Sequence, residues 1–318
     1  MSLGNFINLI QNELIKIYRL KSTWAMYIIV GIIIVGLGIF IKSYGEYMTY
    51  EEDSWRETLE AENQSLLDES EEFPGIAEFN QSLIEQNNYY LENDIIPVSY
   101  GAWQFVMENE MLLSLVSLFT IIVAAGILAN EFRWGTIKLL LIRPISRTKI
   151  LIAKYSSVLL FSFITAFFVL FFSWIVGLIL FGFDGMNPHI VLEKNEGIEY
   201  VSVIGEILTG YGFSLINLLM MATFAFMISA IFRNSALAIG LAIFLMLAGN
   251  QIVFFFIERD WAKYILFANT DLSQYVNGNT PLMEGMTLGF SVTMLVIYYV
   301  IFVALSWVFF TKRDVAGY

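Results

Sequence analysis

Six stretches of this chain run without a single Asp, Glu, Lys or Arg: residues 23–41, 111–129, 155–183, 207–232, 235–257 and 286–311. Each approaches or exceeds the roughly 20 residues that a helix rising about 1.5 Å per residue needs to cross a hydrocarbon layer about 30 Å thick. A Leu, Ile, Phe or Val at the centre of such a helix favours insertion by about 0.3–0.6 kcal/mol, whereas one charge there costs about 2.5–3.5 kcal/mol. The pattern therefore predicts an all-α, polytopic membrane protein with six transmembrane helices. A cleavable signal peptide is the alternative for the first stretch. It is disfavoured because the apolar run exceeds a usual signal core and no A-x-A-like site follows it near Lys42.

The segments between the spans are patterned too. Residues 1–22 place Phe6, Ile10, Leu14, Ile17 and Tyr18 at helical spacing, with Asn8, Gln11, Asn12, Lys16 and Arg19 on other faces. That predicts an amphipathic helix lying in the membrane interface, with Glu13, Lys16 and Arg19 as its candidate functional residues. Residues 42–110 are too long for a connector. Trp55, Leu59 and Leu66, then Ile76, Phe79, Leu83 and Tyr90 after Pro74, recur at helix-compatible intervals and predict a helical hairpin domain. The apolar but short stretch 95–107, with Pro97, Gly101 and Trp103, predicts a broken or interfacial segment leading into the second span. Residues 184–206 and 258–285 form two further loops, and residues 312–318 a short tail.

Charge gives the direction. The segments before span one, between spans two and three, between spans four and five and after span six hold 12 of the 17 Lys and Arg but only three acids, Glu13, Glu131 and Asp314. The other 26 acidic residues lie in the alternate loops, 17 of them in residues 43–110 beside a single base, Arg56. Lys and Arg are retained on the cytoplasmic side, so both termini are expected inside and the acidic loops outside. The net charge of −12 is then an outer-surface property and does not point to nucleic acid.

Composition narrows the chemistry. With no cysteine and one histidine, His189, thiolate metal sites, cysteine nucleophiles and nearly all histidine catalysis are excluded. The spans carry no ionisable residue for coupling-ion transport, and no H-E-x-x-H pair or paired intramembrane acids for proteolysis. No G-x-x-x-x-G-K-[ST] loop is present, so this chain binds no nucleotide by that route. The polar groups inside the spans are amides and hydroxyls. Asn217, Asn250 and Gln251 are expected to face the bundle interior or a dimer interface, because an amide facing lipid lacks partners.

The most informative loop is residues 130–154, NEFRWGTIKLLLIRPISRTKILIAK. Helical spacing runs from Glu131 to Ile142, Pro144 stops it, and Ser146 offers a cap for a helix passing Lys149 and Lys154 into span three. Together with NELIKIYRLKSTW near the N-terminus, a large outer loop after span one and the terminal FFTKRD, this loop resembles permease subunits of bacterial ABC transporters of the second exporter class. The resemblance spans essentially the whole chain. Its most specific element is Glu131, then Gly135-Thr136, then Arg143-Pro144-Ile145-Ser146-Arg147, similar to that family's coupling region at the ATPase junction. It implies a non-enzymatic transport subunit in the plasma membrane, paired with a second or related permease. Two ABC ATP-binding subunits would carry ATP and Mg, and this chain would hold no cofactor. It also implies that Glu131, Arg133, Trp134, Gly135, Thr136, Arg143, Pro144 and Arg147 couple ATP hydrolysis to the spans. A membrane sensory protein using its acidic outer domain, without transport, is the alternative, and a channel a third possibility.

Overall fold

The computed structural model describes residues 3–44, 50, 52–137, 145–183, 185–194, 197–276 and 279–312. Among them, six helices are long and apolar enough to cross a membrane: Lys21–Tyr44, Ala102–Arg133, Arg147–Leu180, Val203–Phe232, Ser235–Phe255 and Leu288–Lys312, called spans one to six. The chain is a polytopic membrane protein built almost wholly of helices. Among the described residues the departure from all-α is one antiparallel hairpin, His189–Lys194 with Gly197–Ser202, in the loop between spans three and four.

Local chemistry sets the span boundaries. Ser146, Ser202 and Asn234 each cap a helix N-terminus, their side chains accepting the backbone N–H of Lys149, Gly205 and Leu237. Arg233 closes span four in the left-handed conformation at φ 54°, so two residues suffice to reverse the chain into span five. Span two starts broken, but at residues 109–112, beyond the stretch 95–107 where the sequence predicts the irregularity. A helix over Ala102–Glu108 passes into a 3₁₀ turn over Asn109–Leu112, where the buried Asn109 amide donates to the Phe105 carbonyl at 2.9 Å, and resumes at Leu113.

Spans two and four are the most buried and form the centre; spans one, five and six are the least buried. Lipid tails are as apolar as Leu, so the centre must be held by close contact rather than by exclusion of water. The sequence supplies small residues for it. Ala124, Ala125 and Ala129 of span two and Ala222, Ala225 and Ala230 of span four are all buried, and Ser229 Oγ bridges the helices by donating to the Ala125 carbonyl (2.6 Å) and accepting from Ala129 N (3.1 Å). Span three meets the broken start of span two at Gly177, where a Cβ would lie 2.9 Å from Ala102 Cα. Of the small residues of span five, Ala238, Ala242 and Gly249 are buried, but Gly249 receives the ring of Phe267, and Gly240 has open space around it.

Helices Trp55–Glu72 and Ala77–Glu92 form a hairpin through a turn begun by Pro74. With the β-hairpin it shares a small core of Trp55, Leu59, Tyr90 and Val191, and the Tyr90 hydroxyl accepts the backbone N–H of Val191 at 2.8 Å. Phe79, expected on the inner stripe, is exposed; Asn80, Ile84 and Asn87 occupy that face instead, and Asn63 exchanges amide hydrogen bonds of 3.0 Å with Asn87 and Asn88.

Candidate functional site

The N-terminal helix, Leu3–Tyr18, buries Leu9, Glu13 and Ile17, positions separated by four residues and hence one above another on one face. Of the apolar stripe read from the sequence only Ile17 is fully buried, Phe6, Ile10, Leu14 and Tyr18 are half-buried, and the face that packs carries an acid. That face lies on span three, and Ser157 of the span donates to the Ile10 carbonyl at 3.1 Å. As the chain turns into span one, Thr23 Oγ1 and Trp24 Nε1 donate to the carbonyls of Ile17 and Tyr18, which no longer have helical partners four residues on.

Glu13 meets three other charges here. Lys154, fully buried seven residues into the span-three helix, donates to Glu13 Oε2 at 2.7 Å and to Glu131 Oε1 at 2.9 Å. Lys16 donates to Glu13 Oε1 at 2.7 Å and to the same Glu131 oxygen at 3.0 Å. Thr136 Oγ1 also donates to the Glu131 carboxylate. Two carboxylates and two ammonium groups thus alternate, with net charge zero, and tie the N-terminal helix to the end of span two and the start of span three. Such an arrangement is required once the charges leave water, since an isolated buried charge is prohibitively costly. Partial burial works against the charge on Lys16, but the hydrogen bonds and attraction of Glu13 and Glu131 outweigh it and hold the pKa above the ordinary 10.5. Lys16 therefore stays protonated throughout the physiological range.

Below the junction the chain turns outward. The expected continuous helix from Glu131 to Ile142 is interrupted: span two ends at Arg133, Trp134 caps it, and Gly135 adopts φ +70°. A Cβ on Gly135 would touch nothing within 4 Å, so this glycine is required by the positive φ of the turn and not by close packing. Arg133, Trp134 and Gly135 are exposed, and Trp134 offers the largest apolar surface of the turn. Trp134, Arg19, Lys16 and Asn130 line a cavity of about 420 Å³ running between spans one, two and five. Arg147 Nη1 donates to the Thr311 carbonyl at 3.1 Å, joining the starts and ends of spans three and six. Arg143 and Pro144 lie outside the described residues.

The structure thus brings Glu13, Lys16, Glu131 and Thr136 together and leaves Arg19, Arg133 and Trp134 at the surface around them. Lys154 was missed as a site residue because in the sequence it reads as one more positive charge of a basic loop. The available signal was its place on the ridge Ile150, Leu151, Lys154, Val158 and Phe161, all buried. Of the amides, Asn217 and Asn250 line one cavity at the opposite end of the bundle. Gln251 does not line it, and both Asn250 and Gln251 are exposed on span five rather than turned into the bundle interior.

Residues 75–316 match a family described as protein of unknown function, DUF2705. The chain belongs to this family. Glu131 and Lys154 fall inside the match, and Glu13 and Lys16 precede it. The chain is also 44% identical over 318 residues to the uncharacterized protein YhcI of Bacillus subtilis (strain 168), covering 98% of this chain and 100% of YhcI. It is 33% identical over 204 residues to the uncharacterized membrane protein YdbK of the same organism, covering 63% of this chain and 78% of YdbK.

Proposed function

We propose that this chain is the transmembrane permease subunit of an ATP-driven exporter, assembled with a second or related permease and two separate ATP-binding subunits that carry ATP and Mg. The observation that supports the reading best is the buried junction of Glu13, Lys16, Glu131 and Lys154 directly above the exposed Arg133–Trp134 turn. A topology anchor needs positive charge on this side; it does not need three elements pinned to one buried lysine. In this reading the basic side, with both termini, faces the cytoplasm of a bacterial cell. The N-terminal helix lies amphipathically in the inner interface, and residues 42–110 form an extracytoplasmic domain. Closure of the ATP-binding subunits pushes on the turn and the N-terminal helix as one piece, because the ion network prevents them from moving apart. Spans two and three tilt with it, and rigid helices pass such a push on as a discrete rearrangement.

The packed module around Trp55 and Tyr90 supports a second reading, a sensory membrane protein that binds a ligand on its acidic side. One experiment separates the two. The tagged chain, extracted in mild detergent from cells expressing it with its chromosomal neighbours, is expected to bring down a Walker-type ATP-binding protein. Glu131→Gln should insert and accumulate normally yet lower the ATPase rate of the purified complex several-fold, and Trp134→Ala should weaken co-purification. Absence of any ATP-binding protein, or full activity and assembly in both variants, would sink the permease reading.

A further inference from the structure

The cavity lined by Asn217 and Asn250 has a volume of about 280 Å³ and lies between the acidic-side ends of spans two, four and five and the connection that follows span five. Two other cavities, both bordered by Tyr155 and Tyr299 near spans three and six, have almost wholly apolar walls that lipid chains would satisfy. This one is different. Glu110, Ser214, Asn217, Asn250 and Asp271 border it beside Phe267, and among the described residues no Lys, Arg or His does.

Its walls are shaped by missing side chains. The Glu110 carboxylate lies against Gly210, where any Cβ would collide with it, and accepts the Ser214 hydroxyl at 2.7 Å. The Phe267 ring lies on Gly249, where a Cβ would likewise collide with it. The Asp271 carboxylate accepts the backbone N–H and the hydroxyl of Ser273 at 3.0 and 2.5 Å, which fixes its position at the rim. The amides of Asn217 and Asn250 make no hydrogen bond to another described residue. Polar groups at membrane depth are costly and normally mark a pathway or a ligand.

We infer that this cavity binds an organic cation with an apolar body. Glu110, partly withdrawn from water, and Asp271, exposed at the rim, have no basic residue beside them among the described lining and create a negative potential that attracts a cation and repels an anion of the same shape. Phe267 offers a ring face to the charged centre or its substituents, and the free amides accept from or donate to polar groups of the ligand. The inference rests on the export reading only for its meaning. The cavity lies at the end of the bundle opposite the Trp134 turn, where an exported cargo would leave, so the cargo class would be cationic amphiphiles.

The test is equilibrium binding to the full chain in lipid nanodiscs, with no ATP-binding protein present and empty nanodiscs subtracted. The probes are tetraphenylphosphonium and tetraphenylborate, which share a shape and differ in the sign of charge. Saturable binding of the phosphonium, none of the borate, and a loss of roughly tenfold in affinity in the double variant Glu110→Gln/Asp271→Asn are expected. Glu57→Gln/Glu78→Gln, which removes the same charge from the exposed hairpin, should leave affinity unchanged. The site is overturned if the phosphonium does not saturate, if both ions bind alike, if the cavity variant keeps its affinity, or if the hairpin variant loses as much. Since no partner enters the assay, those results leave the permease proposal to its own experiment.

Discussion

A lysine withdrawn from solvent keeps its charge only where carboxylates replace its water, and Lys154 is held by two. Deleting one member of such a network leaves the others buried and uncompensated. Lys154→Met is therefore expected to destabilise the protein by about 3–5 kcal/mol, because Glu13 and Glu131 would face each other without a cation between them except the half-exposed Lys16. The triple variant Lys154→Met/Glu13→Gln/Glu131→Gln removes the charges together and should recover a large part of that loss. Thermal unfolding in detergent measures both. A triple variant no more stable than the single one would mean that Lys154 matters through its shape and not its charge.

At the scale of elements, the apolar runs made the six spans legible, since nothing but a membrane helix accommodates 20 uncharged residues. Gly101 marked the start of the helix that leads into span two, and Ser146 the start of span three. Three features escaped. The β-hairpin at His189–Lys194 lies in a short polar loop whose strands pack on Tyr90, a contact from a hundred residues away. The inner face of the acidic-side hairpin is partly asparagine, which a search for apolar stripes passes over in favour of the exposed Phe79. Charge counting assigned Lys154 to topology, because burial is invisible until the N-terminal helix is laid across span three. Glycines were equally ambiguous in sequence, and their roles separate by experiment. Gly177→Ala should cost about 1–3 kcal/mol, since its Cβ would lie 2.9 Å from the Ala102 backbone. The same change at Gly240, where a Cβ meets nothing within 4 Å, should gain up to about 1 kcal/mol from helix propensity. Unfolding midpoints that moved in the same direction would contradict this account of the span two–span three contact.

For the whole molecule, the two ends of the bundle have different chemistry. One gathers the N-terminal helix, the Trp134 turn and the start of span three around a neutral, buried ion network. The other carries the hairpins and a polar cavity with two carboxylates. The permease proposal assigns the first end to the ATP-binding partner and the second to the cargo, and it makes contact at Trp134 its central claim. The most direct measurement is site-specific photocrosslinking in native membranes, with a photoreactive phenylalanine analogue at Trp134 and, for comparison, at Phe79, which is equally exposed on the acidic side. The account predicts that position 134 captures a protein carrying a Walker nucleotide-binding loop and that position 79 does not. Capture of such a protein from position 79, or of none from position 134 while the chain is correctly inserted, would contradict it.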